Sequence, residues 1–470
     1  MDQSQAPLWE ALLAYAKKEV VSFHTPGHKR GSGVFSILSE VLGETLFALD
    51  SSDEIECRAS NNQFEDVLAQ AQSLAASAFH SQATRFLVNG TTGGIHCMLL
   101  SLKGEVILPR FSHQSVYASL ILSEVSPVYL ETVFDTEWFI ALPPSLAEVK
   151  TKLGGCTHQT IFLTNPTYYG TTPDPAITAF ARENGVMVFV DEAHGGHFAF
   201  SNSLPKSGLE LGADLVVHST HKLLGSLTQS SMLHIGNACL IPEQDRALSV
   251  LQTTSPSLVM LAVLDVVRRE LYNNGVNLVE RALGLSVQLR IALQRIKGVS
   301  VLPSYLQQDP TKVIFNFLDL GLTGIQVEHL LRKDYNIQVE LSDYHNVLAL
   351  LTLGDSLESV QRLSCAIKDL AERYANCASL PKSNLPPYPG LPKATIGLKE
   401  AYHAKHQVVS LDCCVGRVCG QFITPYPPGV PLTVPGEVIT ADVIDFIIRC
   451  KKLGWYVRGV HAEKVTVIKE

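Results

Sequence analysis

The chain has 470 residues, enough for more than one compact domain. Hydrophobic residues make up 46% and charged residues 17%, which is the balance of a globular protein with large cores and argues against disorder. A net charge of −8 with no Lys/Arg-rich run speaks against nucleic acid or an anionic membrane surface as partner.

Met1 to Pro7 has no basic region followed by an apolar core, so no secretory signal is expected. The ten cysteines contain no CxxC pair, and the cluster Cys413, Cys414 and Cys419 has no histidines at zinc spacing. Reduced thiols, a cytoplasmic location and no bound metal follow as expectations.

Apolar positions at helical spacing predict a short amphipathic helix over 8–20. Phe23-His24-Thr25-Pro26-Gly27-His28-Lys29-Arg30 then breaks regular structure and reads as a loop with two histidines and two cations. A strong helix is expected over 64–79, with Phe64, Val67, Leu68, Ala71, Leu74, Ala75 and Ala78 on one core-facing stripe. The apolar segment 85–88 runs into Asn89-Gly90-Thr91-Thr92-Gly93-Gly94, and a helix is predicted from about Ile95 to Ser101. Small residues and hydroxyls before a helix suit a phosphate, because free backbone N–H groups and the helix dipole both favour an anion.

Val106 to Arg110 reads as a buried strand ending at Phe111-Ser112-His113-Gln114. The segments 160–164 and 186–190 are strands separated by a helix over 175–184 and the stop Gly185, a βαβ pattern that implies a parallel sheet. The first strand leads into Asn165-Pro166-Thr167-Tyr168-Tyr169-Gly170, and the second ends on Asp191-Glu192-Ala193-His194. That last tetrapeptide also occurs in helicases, but no GxxxxGK[ST] loop accompanies it.

A further apolar strand, Leu215 to Val217, enters the turn His218-Ser219-Thr220-His221-Lys222. Ligand chemistry in α/β folds collects at such strand ends. A lysine crowded by hydroxyls and histidines, with little nearby charge, can offer a neutral amine as a nucleophile. A carboxylate and a lysine at the ends of neighbouring strands are what pyridoxal phosphate requires: the lysine carries the cofactor, and the carboxylate keeps the pyridine nitrogen protonated. Beyond this turn a long helix is predicted over 258–297. Its apolar stretch from Leu258 to Val267 is broken by Asp265 and is too short to span a bilayer. Strands over 313–318 and 347–352 flank a helix over 324–332, an α+β arrangement, and a proline-rich linker occupies 380–392.

With these segments in view, the chain resembles the bacterial-type ornithine/lysine/arginine decarboxylases, pyridoxal-phosphate enzymes of fold type I. The resemblance is carried by Ser219-Thr220-His221-Lys222, Asp191-Glu192-Ala193-His194-Gly195, Thr25-Pro26-Gly27-His28, Pro166-Thr167-Tyr168-Tyr169-Gly170, and the C-terminal Tyr426-Pro427-Pro428-Gly429 with Pro435-Gly436-Glu437. It implies an aspartate-aminotransferase-like α/β fold with a mostly parallel central sheet and a smaller α+β C-terminal domain. The implied domains are an N-terminal helix and active-site arm over 1–55, a cofactor-binding large domain over 56–300, and a small domain over 301–470. The chain looks like a short form, without the N-terminal wing and long tail of the largest members.

The implied reaction is decarboxylation of lysine, arginine or ornithine. Lys222, His221 and Asp191 would be catalytic, and Thr91, Thr92, Gly93, His113, His194 and Ser219 would join them in holding the cofactor, with His113 stacked on its ring. Glu437 is the candidate for the substrate's distal cation. A homodimer or higher homo-oligomer with shared sites is also implied. Three departures stand out: the family's Ser-Pro-Thr-Gly-like turn is missing from Cys57 to Asn62, Ile95 replaces an asparagine, and Gln114 replaces a cation. Another fold-type-I reaction, by an aminotransferase or lyase, and a non-catalytic regulatory paralogue are the alternatives. Retention of Lys222, Asp191, His113 and Thr91 speaks against the latter.

Overall fold

The computed structural model describes residues 2–52, 63–154, 159–304, 309–381, 388–426 and 429–469. The turn departure at Cys57–Asn62 therefore lies outside the described residues, as do Pro427 and Pro428 of the C-terminal signature and the middle of the proline-rich linker. In chain order the strands that matter here are β1 Ala83–Leu87, β2 Gly104–Pro109, β3 Val125–Leu130, β4 Val133–Phe134, β5 Ala141–Leu142, β6 Gln159–Thr164, β7 Met187–Asp191, β8 Leu215–His218 and β9 Ser231–Ile235. β10 Ser300–Val301, β11 Lys312–Asn316, β12 Leu341–Ser342 and β13 Val347–Leu350 follow.

Two compact units emerge, and neither is continuous in sequence. The first comprises Met1–Ser101 with Val188–Glu280, the second Leu102–Met187 with Arg281–Glu470. The segment expected as one large domain over 56–300 is thus shared between them.

In the first unit β8 pairs in parallel with β7 and antiparallel with β9, and β9 pairs antiparallel with β1. β8 and β9 are buried along their whole length, so both faces of this part of the sheet are covered. One cover is the helix Gly90–Leu100, where the closest approach requires a glycine: a Cβ on Gly94 would lie 2.6 Å from Val217 Cγ2. The expected stripe of the helix Gln63–Ala78 is seen from Ala71 onward, where Ala71, Leu74, Ala75 and Ala78 are buried. The N-terminal helix is shorter than its pattern suggested, Pro7–Ala16. It is tied down by polar groups: Leu8 N–H donates to Asp265 Oδ2 at 2.9 Å, and Arg268 Nη1 donates to Gln3 O at 3.0 Å. Asp265 and Arg268, one helical turn apart and both fully buried, pair with each other. The charges that interrupt the apolar run from Leu258 are therefore the anchor for the N-terminus.

In the second unit β2 lies between β3 and β6, parallel to both. A separate antiparallel sheet runs in the order β10, β11, β13, β12, as the α+β pattern predicted. Its core joins Val313, Phe315 and Val347 to Leu289 and Leu293 of the long helix and to Val327, Ile367 and Leu370 of the two helices Gly324–Tyr335 and Leu357–Arg373. Both of those helices begin with capping boxes, at Thr323 and Ser356. Among the described residues no helix is long and apolar enough to cross a membrane.

Candidate active site

The ends of β7 and β8 bring the sequence-predicted residues of the first unit together. Asp191 is the last residue of β7, directly opposite Val217, and β8 ends one residue later at His218. The chain then turns through Ser219 into the one-turn helix Thr220–Leu223, so Lys222 sits beyond a strand end as expected. Its Nζ lies 3.1 Å from His194 Nε2, and His194 is three residues past Asp191. Asp191 and His194 are both nearly inaccessible to solvent, and Asp191 Oδ1 accepts from Ala193 N–H at 3.1 Å. His221 Nδ1 donates to Ser230 O at 2.8 Å, which leaves Nε2 as the nitrogen able to exchange a proton.

The Gly/Thr turn is organised differently from its prediction. The helix begins at Gly90, five residues before Ile95, so Thr91, Thr92 and Gly93 form its first turn. Gly90, in the left-handed region at φ 63°, donates its N–H to Gln229 O at 2.6 Å, and Thr91 Oγ1 lies 3.2 Å from Ser219 Oγ. The first-turn amides and two hydroxyls are thereby gathered beside the lysine turn, a donor set suited to a phosphate. Ile95 is fully buried, so this departure serves packing.

Within the second unit, His113 caps the helix Gln114–Leu122 from an exposed position: its Nδ1 accepts Ser115 N–H at 3.2 Å. Gln114 accepts a hydrogen bond from the guanidinium of Arg458. Glu437 does not present a free carboxylate for a substrate cation. Its oxygens receive Arg110 Nη1 at 2.8 Å and Nη2 at 2.7 Å, and Oε2 also accepts Val434 N–H at 2.9 Å. Arg110 further donates to the carbonyls of Pro431 and Leu432 and lies 4.8 Å from the Tyr129 ring centroid. Burial works against the Arg110 charge, but Tyr117, Glu437 and Tyr129 outweigh it and hold the guanidinium above its ordinary value. The expectation for Glu437 thus meets a buried bidentate ion pair.

Sequence reasoning missed a group of buried polar residues in the first unit: Thr84, Glu192, His218 and His234. The available signal was a histidine in each of two largely apolar strands, Leu215–His218 and Ser231–Ile235.

Comparison with known proteins identifies the family. The family model for the Orn/Lys/Arg decarboxylase major domain matches residues 6–307, and that for the C-terminal domain matches residues 388–463. The chain belongs to the Orn/Lys/Arg decarboxylase family. It is 35% identical to an arginine decarboxylase of Bacillus subtilis (strain 168), covering 100% of this chain and 99% of that protein. It is 34% identical to an arginine decarboxylase of Bacillus anthracis, covering 100% and 98%. Among solved structures, the Escherichia coli constitutive lysine decarboxylase superposes with a TM-score of 0.84 at 20% identity, over 100% of this chain and 82% of that one. A Sphingomonas wittichii serine palmitoyltransferase superposes over 66% of this chain and 77% of that one with a TM-score of 0.55 at 16% identity. The fold is that of these enzymes, and the family member described here is an amino-acid decarboxylase.

Proposed function

We propose that this decarboxylase acts on L-arginine with pyridoxal phosphate, releasing carbon dioxide and agmatine. The observation that carries the chemistry is the approach of Lys222 Nζ to His194 Nε2 at 3.1 Å, at the strand end that also bears the buried Asp191. The choice of arginine rests on relatives named arginine decarboxylase at 34% and 35% identity over 98% and 99% of their length.

The donor set fits the cofactor: a lysine, a buried carboxylate at the end of the adjacent strand, and a helix start carrying Thr91 beside Ser219. When bound, pyridoxal phosphate supplies the electron sink that takes up the electron pair left by the departing carboxylate. Lys222 would carry the cofactor at Nζ, and Asp191 would hold the proton on the ring nitrogen. Thr91, Thr92, Gly93 and Ser219 would donate to the phosphate. His194 can accept a proton from the Lys222 ammonium and so leave the neutral amine that the lysine needs to react. Lys222 Nζ or His221 Nε2 returns a proton to the substrate's Cα. For His113 we retain the ring-stacking role implied by the resemblance, with its Nδ1 engaged by the helix start and Nε2 left to other partners. Glu437 we assign to the frame of the second unit instead of the substrate's distal end.

A cytoplasmic homodimer or larger homo-oligomer is part of the same proposal. It is supported by the apolar side chains that the N-terminal arm exposes, Val21, Phe23, Phe35, Ile37 and Val41.

The test is carbon dioxide release by the purified chain with pyridoxal phosphate, offered L-arginine, L-lysine and L-ornithine in parallel. Release from arginine at the highest kcat/KM is expected. Preference for lysine or ornithine would overturn the substrate assignment, and silence on all three with bound cofactor would overturn the decarboxylase reading.

A further inference from the structure

A chain of hydrogen bonds runs across the sheet beside the lysine turn, from just beyond β7 to β1. Glu192 Oε1 meets His218 Nε2 at 2.9 Å, His218 Nδ1 meets His234 Nε2 at 3.0 Å, His234 Nδ1 meets Thr84 Oγ1 at 2.8 Å, and Thr84 Oγ1 meets Ser81 Oγ at 2.9 Å. The links run from just beyond β7 through β8 and β9 to β1. Glu192, His218, His234 and Thr84 are completely buried. The Phe79 ring packs against both imidazoles, with centroids 5.5 and 4.7 Å away. Glu192 Oε2 accepts Gly208 N–H at 2.6 Å, and a Cβ on Gly208 would come within 3.1 Å of that oxygen. Glu192 N–H donates in turn to Val217 O at 3.0 Å. The residue after Asp191 is thus clamped, by main chain and side chain, to the strand that delivers Lys222.

The chain has two self-consistent hydrogen-bond directions. An ionised Glu192 only accepts, so His218 Nε2 donates to it in both. If His218 is neutral, its Nδ1 accepts from His234, His234 accepts from Thr84, and Ser81 donates to Thr84. If His218 is protonated, every link beyond it reverses: His218 donates to His234, His234 to Thr84 and Thr84 to Ser81. Ser81 is then free to donate to Ala83 O, 3.0 Å away. His234 is neutral in both directions, in accord with burial, and then the neighbouring His218, holding it well below its ordinary 6.5. The two directions differ by one proton, held by the Glu192–His218 pair.

We propose that Glu192 and His218 are positioning residues for the decarboxylation, and that proton uptake by this chain, with reversal of its hydrogen bonds as far as Ser81, sets the charge one residue from Asp191. This rests on the functional reading above. The groups facing His218 are Glu192, His234 and the apolar Phe79, with the turn bearing His194 and His197 approaching through Gly196. In the unprotonated direction the negative charge beside Asp191 favours a proton on the cofactor's ring nitrogen. Turnover therefore rises with pH through the chain's own titration.

Ser81→Ala tests this from the far end, three links from His218. It removes the acceptor that Thr84 needs only in the protonated direction, so the acid-side step of the kcat profile moves down by about one pH unit while the alkaline plateau and KM hold. His218→Gln, which cannot be protonated, removes the step. In the cofactor-free chain, nitrogen NMR of labelled histidine rings, assigned with these variants, is expected to show one coupled ring titrating and the other neutral throughout. An unmoved midpoint in Ser81→Ala, or two rings that titrate independently, would overturn the proposal. A cofactor-free chain that gives the NMR result while the loaded protein releases no carbon dioxide would instead fault the functional reading alone.

Discussion

The Arg110–Glu437 pair offers the sharpest separation between a structural and a substrate-binding role for one carboxylate. Glu437→Ala leaves a guanidinium that is 1% exposed without its carboxylate partner, facing the carbonyls of Pro431 and Leu432 at 3.1 and 3.3 Å. Breaking a buried pair by removing one partner costs about 3–5 kcal/mol, because the remaining charge is left uncompensated. At roughly 1 °C per kcal/mol for a chain of this size, the thermal midpoint should fall by about 3–5 °C. The double substitution Arg110→Met with Glu437→Leu removes both charges and should recover most of that loss. Midpoints from calorimetry on both variants and the wild type test this, with arginine KM measured below the lowest midpoint. KM should change less than about threefold in Glu437→Ala, since uniform substrate binding is not what the pair provides. A KM raised a hundredfold with an unaltered midpoint would refute the reasoning and return Glu437 to the substrate.

Asp191→Ala should leave the fold intact and lower kcat by roughly 10²–10³-fold, the scale of losing one preorganised electrostatic partner in a catalytic site; near-wild-type turnover would remove Asp191 from the scheme. Thr91→Val should weaken pyridoxal phosphate binding, read as a raised Kd in absorbance titration, by roughly tenfold for one lost hydrogen bond to a charged group. Gly94→Ala should destabilise the first unit by about 1–3 kcal/mol, because the new methyl meets Val217 Cγ2 at 2.6 Å in a packed helix–sheet contact. His234 is held below its ordinary 6.5, so its neutral form contributes stability that is present above that value and lost as pH falls towards the folded-state value. Denaturant midpoints should accordingly drop between pH 7 and pH 5, and His234→Gln should flatten that slope.

The placement of the candidate site residues was legible where it is local. Lys222, His221 and Ser219 lie in one turn, Asp191 and His194 in another, and each follows an apolar strand whose periodicity announces where it ends. The helix start at Gly90 was misplaced because glycine and threonine are poor helix formers in isolation; here Gly90 meets Gln229 and Thr91 meets Ser219, contacts made by residues more than a hundred positions away. The same separation hid the ion pair of Glu437, whose partner Arg110 stands 327 residues earlier, just past a strand end. It also split the expected large domain, since chain order does not record which strands pack with which helices.

The polar chain from Glu192 to Ser81 shows why such features escape a pattern reading. His218 and His234 occupy positions that burial would assign to apolar residues, and each could be written off singly as a costly exception. Paired through Thr84 and Glu192, every ring nitrogen of the two finds a partner and the exception becomes a connected network. Such a network is costly to break at any link, which ties the spacing of β7 and β8 to the protonation of groups well away from Lys222. The strand ends that hold Asp191 and the lysine turn are therefore fixed by polar contacts on one side and by Gly94 against Val217 on the other, and the proposed reacting groups inherit that rigidity.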